Sequence, residues 1–240
     1  MWDDATSLRM LANGLIVIAL LLFVFGAGYT VLHLPIFPVR EMRITGDVHH
    51  VTREQVQAIV QRELLGNFFT LDLARVRSAF EKLPWVRQAS LRRRWPDSLD
   101  VQLEEHIALG RWGSMALVNT HGEVFFAASD ARLPVMTGPD STSAEVVSRF
   151  NAFSASLSGI GRNVANVELS ARRAWVLKLD DGMVLKLGRE DVEGRVARFC
   201  NAYPRSIARL KQQPAYADLR YANGFAVRVA SMRWEGARGI

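Results

Sequence analysis

Side chains able to do covalent or metal chemistry are scattered in this chain of 240 residues. Its five histidines stand at His33, His49, His50, His106 and His121, with no His-Glu-x-x-His helix, no paired Cys-x-x-Cys and no acidic calcium loop. His49 and His50 are neighbours rather than one helical turn apart, a spacing that suits a turn and not a metal site. Neither a Gly-x-Ser-x-Gly elbow nor a phosphate-binding loop occurs. Asp180 and Asp181 invite a paired-carboxylate reading, but they precede Gly182 in a hairpin turn, where aspartate bonds its own backbone. Cys200, the single cysteine, follows Phe199 on an amphipathic pattern and reads as a small packed residue. It excludes an internal disulfide. The expectation is no catalytic site, no metal and no cofactor.

Binding is the chemistry that remains. The formal net charge of +6 suits an anionic neighbour, either lipid headgroups or nucleic acid. Arg92, Arg93 and Arg94 are adjacent on a predicted strand, so they alternate between its faces, and few aromatic residues interleave them. A solvated sheet face comes first as their reading, lipid or an acidic partner second, nucleic acid third. A different signal lies near the end of the chain. Ala217, Leu219 and Tyr221 alternate, Asn223-Gly224 turns, and Phe225, Val227 and Val229 alternate back. If this hairpin from Tyr216 to Val229 lies at a sheet edge, its free amides and carbonyls form a template for a partner strand. Arg220, Tyr221 and Phe225 would then be the anchors, tyrosine and arginine being rich in interface energy. A capped or internal hairpin is the equal alternative.

The elements that position these residues begin with Gly14–Leu32, inside a stretch from Met10 to Pro38 that holds no Asp, Glu, Lys or Arg. A membrane span needs roughly 20 apolar residues. Arg9 is the only basic residue before it, and the apolar run continues past Gly26-Ala27-Gly28 through Tyr29, Val31, Leu32 and Leu34. These features favour an uncleaved anchor over a removed signal peptide. Arg9 before the span and Arg40 and Arg43 after it leave the orientation undecided. The reading is a short tail over residues 1–11, expected to be unstructured, and a transmembrane helix over 12–34, which Pro35 and Pro38 end.

The next segment reads strand, helix, helix, strand, strand. Met42 and Ile44 alternate; Thr52 with Gln55 predicts a capping box ahead of Val56, Ile59, Val60 and Leu64; Gly66 closes that helix. Asp72 opens a second helix with Leu73, Val76, Phe80 and Leu83 on one stripe. Ala89, Leu91, Arg93 and Trp95 then share one strand face, and Leu99, Val101 and Leu103 another. Both helices on one sheet face make an α+β sandwich. The rest reads as a mixed, mainly antiparallel β domain with packed helices. Its hairpins are Leu117–Phe126 around His121-Gly122 and Trp175–Leu187 around Asp181-Gly182. Its helices carry Val146, Phe150, Phe153 and Leu157, then Val192, Val196, Phe199 and Tyr203.

The runs Val39–Gly46, Leu83-Pro84-Trp85-Val86 and Arg94-Trp95-Pro96-Asp97-Ser98-Leu99-Asp100-Val101 together resemble the POTRA domain of the FtsQ/DivIB family of bacterial cell-division proteins. Leu117-Val118-Asn119, Ala171–Trp175, Leu187-Gly188-Arg189, Arg198-Phe199, Tyr203-Pro204 and Asp218-Leu219-Arg220-Tyr221 are similar to motifs of that family's β domain. The resemblance implies a βααββ POTRA domain over 37–106, the β domain over 107–231 and a C-terminal tail over 232–240. It implies a single-pass protein of the inner membrane, N-terminus in the cytoplasm and domains in the periplasm, at the division septum. As partners it implies FtsB and FtsL, bound as a complex through the last strands of the β domain and the adjoining helix, and other division proteins through the POTRA domain. Carried onto this chain, the contact takes Arg172, Ala202, Arg220, Tyr221, Asn223 and Gly224, with Tyr203 beside Ala202 and Phe225 as the hairpin anchor. No nucleic acid and no small-molecule substrate enter this reading. The alternative is a membrane-tethered POTRA protein that receives or translocates polypeptides.

Overall fold

The computed structural model describes residues 5–34, 36–210, 212, 214–221 and 223–229. Residues 1–4, Pro35 and the 232–240 tail lie outside the described residues. The chain divides between Glu105 and His106 into two compact units.

The first unit opens with α1 (Ala5–His33). Its stretch Arg9–His33 is long and apolar enough to cross a membrane. At the helical rise those 25 residues reach about 37 Å, against roughly 30 Å of hydrocarbon. All of these side chains are exposed, so the apolar surface is unpartnered on every face, as suits a helix solvated by lipid. Residues 5–11, part of the tail expected to be unstructured, are helical. No glycine or proline interrupts residues 5–11, and Leu8, Arg9, Met10 and Leu11 favour helix.

β1 (Glu41–Thr45), α2 (Arg53–Glu63), α3 (Leu73–Glu81), β2 (Val86–Arg94) and β3 (Ser98–Glu105) follow in the expected βααββ order. The Thr52–Gln55 capping box forms, and the Asp72 carboxylate accepts from the amides of Ala74 and Arg75. The sheet order is β1-β3-β2, with β1 parallel and β2 antiparallel to β3. Val76 and Phe80 of α3 pack with Ala89, Leu99, Val101 and Leu103 of the sheet, and Val56 and Ile59 of α2 close over the same core. Glu105 ends β3 as an acceptor for the amides of His49, His50 and Val51 and for the His50 ring, which stacks 3.7 Å from Trp85. Burial alone would raise the Glu105 carboxyl, but these donors hold it below the ordinary range.

The second unit holds β4 (Ala108–Trp112), β5 (Ala116–Asn119), β6 (Val124–Phe125), β7 (Val135–Thr137), α4 (Ser143–Ser158), β8 (Val164–Leu169), β9 (Trp175–Leu179), β10 (Val184–Gly188), α5 (Val192–Ala202), β11 (Pro214–Asp218) and β12 (Ala226–Val229). Among the described residues, one sheet takes all nine strands in the order β12-β11-β10-β9-β8-β7-β4-β5-β6. Antiparallel pairs dominate, but β4-β7, β7-β8 and β10-β11 are parallel. Trp175, Leu177 and Leu179 of β9 and Leu185 and Leu187 of β10 face Val146, Phe153, Leu157, Val196 and Phe199 of the two helices. Glu168, Lys178 and Lys186 leave the opposite face in water, the one-sided pattern an antiparallel-rich sheet permits.

Two strands escape the sequence pattern for a stated reason. β8 carries a bulge between Val164 and Asn166, and β4 one between Ala108 and Gly110. An extra residue breaks the two-residue alternation by which a strand is read. Gly110 also sits where a Cβ would lie 2.9 Å from the Pro134 carbonyl oxygen, so β4 and β7 approach through the missing side chain.

Candidate partner-binding edge

β12 closes one side of the large sheet. It pairs antiparallel with β11 (Tyr216 opposite Arg228, Ala217 opposite Val227, Asp218 opposite Ala226), and among the described residues no strand lies on its other side. In such a pair alternate residues direct their amides and carbonyls away from the partner. β12 therefore offers an open ladder. Val227 packs toward the core while Ala226 and Arg228 face water.

The segment joining β11 to β12 carries the side chains. β11 stops at Asp218, three residues earlier than alternation through Leu219 and Tyr221 predicts, although the Leu219 amide still donates to the Lys186 carbonyl at 2.9 Å. The cause is the Asp218–Arg220 pair. Asp218, 7% exposed, accepts from the Arg220 backbone amide at 3.1 Å and from its guanidinium at 2.8 and 2.6 Å, which turns the chain out of the strand. The guanidinium holds the Asp218 carboxyl below its usual range, and the carboxylate raises the Arg220 group in return. A two-point grip of this kind fixes orientation as well as charge. Arg220 also lies over Gly188, where a Cβ would stand 3.2 Å from its Cγ. Next to it Tyr221 is 59% exposed. Asn223 and Gly224 are exposed, and Phe225 is half-buried with its ring 5.6 Å from that of Phe199.

The structure gathers Arg220, Tyr221, Asn223, Gly224 and Phe225 into one surface. Ala202 is half-buried at the end of α5, and on the same helix the Phe199 ring lies 5.6 Å from the rings of both Tyr203 and Phe225. Tyr203 belongs to the hydrophobic core. It is 7% exposed and its hydroxyl accepts from Arg162 Nε at 2.8 Å, so it packs beneath the edge. Arg172 sits in the turn between β8 and β9. Leu169 pairs with Trp175, Trp175 with Gly188, and Lys186 with Asp218, so that turn, the end of β10 and the Arg220 segment share one end of the sheet. A polar cleft of about 340 Å³ opens there between Glu145, Arg173, Trp175, Arg189 and Glu193. Arg173 pairs with Glu145 at 2.6 Å, and Arg149 pairs with Glu193. Arg172 and Arg189 have no carboxylate partner among the described residues.

The family profile described as cell division protein FtsQ/DivIB, C-terminal, matches residues 110–220, and the FtsQ-type POTRA profile matches 37–106. The chain belongs to the FtsQ/DivIB family. It is 44% identical to cell division protein FtsQ of Nitrosospira multiformis, over 95% of this chain and 99% of that protein. The FtsQ of Burkholderia pseudomallei is 42% identical over 98% and 96% of the two chains, and that of Bordetella pertussis 35% identical over 99% and 96%. The βααββ unit is thus the POTRA fold of this family, and the nine-stranded unit is its C-terminal fold.

At the edge, the residue that the sequence did not single out is the holder, Asp218. Asp218 stands two residues before Arg220, a spacing that brings both side chains to one face of an extended chain. The residues weighed for catalysis are occupied locally. Asp180 accepts from the Asn163 amide and side chain, Asp181 from the Met183 amide while pairing with Arg162 at 3.1 Å. Burial raises the Cys200 thiol, which lessens its nucleophilic form.

Proposed function

We propose that this chain is a non-catalytic scaffold of the division machinery, held in the inner membrane by α1 with its N-terminus in the cytoplasm and both folded units in the periplasm. Its second unit captures FtsB and FtsL as a complex. A partner segment adds as a strand to β12, and the residues from Arg220 to Phe225 clamp the flank of that added strand. The POTRA unit, residues 37–106, meets other division proteins. The observation that carries this reading is the open edge of β12 beside an exposed tyrosine and an arginine held in place by Asp218. Main-chain pairing supplies affinity in strand addition, and the flanking side chains supply specificity. Arg172 and Arg189, at the same end of the sheet and without carboxylate partners among the described residues, favour an acidic residue on the captured segment.

A photo-crosslinking residue placed at Tyr221 in the full chain tests this in dividing cells. The expected product is a covalent adduct with FtsB or FtsL. An adduct with unfolded outer-membrane polypeptides instead would support the translocation reading and overturn this one.

A further inference from the structure

We propose that the tip of the first unit nearest α1 docks into the headgroup layer of the bilayer that holds α1, through Trp95, Phe69, Leu65 and Ile36. The inference rests on reading α1 as a retained membrane anchor. The tip is tied to the helix end: the Asn67 side-chain amide donates to the carbonyls of Leu32 at 2.6 Å and Leu34 at 2.9 Å, the last turn of α1 and the residue after it. Asn67 is itself buried, and its oxygen accepts from the amides of Phe69 and Thr70, so this loop is a built socket for the helix end. The chain leaving the helix is bound to the same tip, because Phe37 accepts from the Phe68 amide at 2.8 Å and the Arg40 amide donates to the Asp97 carbonyl at 2.9 Å.

Large apolar side chains gather at this tip and face outward. The Trp95 ring lies 6.0 Å from Phe68 and 6.4 Å from Phe69, and Phe69 lies 5.2 Å from Phe37. Trp95 is nevertheless 68% exposed, with Leu65 and Ile36 near 60%. Isolated exposed apolar residues need no explanation, but a connected group does. Arg93 stiffens the platform by donating to the carbonyls of Phe68 and Leu71. Exposed Arg40 and Arg94 flank it, and the nearest carboxylate oxygen to Arg94, on Asp100, is 3.9 Å away. The apolar stretch of α1 exceeds the hydrocarbon thickness by about 7 Å, so its end emerges in the headgroups, the layer in which tryptophan is enriched and arginine meets anionic lipid.

The test uses the full chain with Cys200→Ser, reconstituted in vesicles of phosphatidylethanolamine and phosphatidylglycerol, carrying a nitroxide at one introduced cysteine. Trp95→Cys and Leu65→Cys report on the tip, Phe23→Cys on the span, and Asp47→Cys on the far end of the small sheet, beyond β1. Collisions with oxygen, which partitions into lipid, are compared with those of a water-soluble nickel chelate. The expected ratio of oxygen to nickel at Trp95→Cys and Leu65→Cys is several-fold above that at Asp47→Cys and below that at Phe23→Cys. Adding Trp95→Ser to Leu65→Cys lowers its ratio several-fold. Tip sites equal to Asp47→Cys while Phe23→Cys stays oxygen-rich would overturn the docking and leave the anchor standing. Phe23→Cys equal to Asp47→Cys would remove the anchor, and the docking with it. Protection at the tip that vanishes when the protein is diluted with lipid would assign the patch to a second copy and also overturn the proposal.

Discussion

At the scale of single residues, the edge depends on a division of labour between a holder and its contacts. Tyr221 makes its ring available because Asp218 and Arg220 set the backbone before it. Tyr221→Ala is therefore expected to leave thermal stability within about 0.5 kcal/mol, as for an exposed substitution. It should weaken the FtsB–FtsL complex by about 2 kcal/mol, roughly thirtyfold, measured by titration against the purified complex. Asp218→Asn behaves differently. The Asp218 carboxyl is held below its ordinary value, so its stabilisation is complete above the unfolded value of about 4 and is lost as pH falls through the lower folded one. Unfolding followed from neutral pH to pH 3 should show stability falling with acid in the wild type, and a shallower fall in Asp218→Asn. The exposed side chains and the turn were legible in the sequence, since Asn223-Gly224 marks a turn directly after Arg220 and Tyr221. Their holder was not, because the burial of Asp218 depends on β10 lying parallel beside β11, a pairing between residues some 30 apart in the chain.

At the scale of elements, local chemistry and long-range pairing part company. The Thr52 capping box, the Asp72 cap and the two hairpins at Asp181-Gly182 and His121-Gly122 form where residue types alone place them. Bulged β4 and β8 hide their period, and the parallel pairs around β7 have no turn signature at all. Thr52→Ala should cost the POTRA unit about 1 kcal/mol in chemical denaturation, the usual worth of such a cap. Gly188, at φ +78° where β10 ends, supports the edge from below. Gly188→Ala should cost about 1–2 kcal/mol through the backbone. It should also displace Arg220, so that partner affinity falls by more than the stability loss explains when both are measured on the same sample.

At the scale of the whole molecule, an apolar helix, a POTRA unit and a nine-stranded unit are joined in one chain of a cell-division family, and the proposed work is placement of partners rather than turnover of a substrate. The apolar span and the βααββ order were legible because each follows from periodicity within a short window. The position of β12 at the sheet margin was not, since a hairpin reads the same at an edge and in the middle of a sheet. That position carries the central claim, and amide hydrogen exchange tests it most directly. With the full chain in lipid nanodiscs and the FtsB–FtsL complex at saturation, the amides of Ala226–Val229 should exchange many-fold more slowly, with protection extending through residues 219–225. Unchanged exchange in β12 while the complex is bound would contradict capture by strand addition.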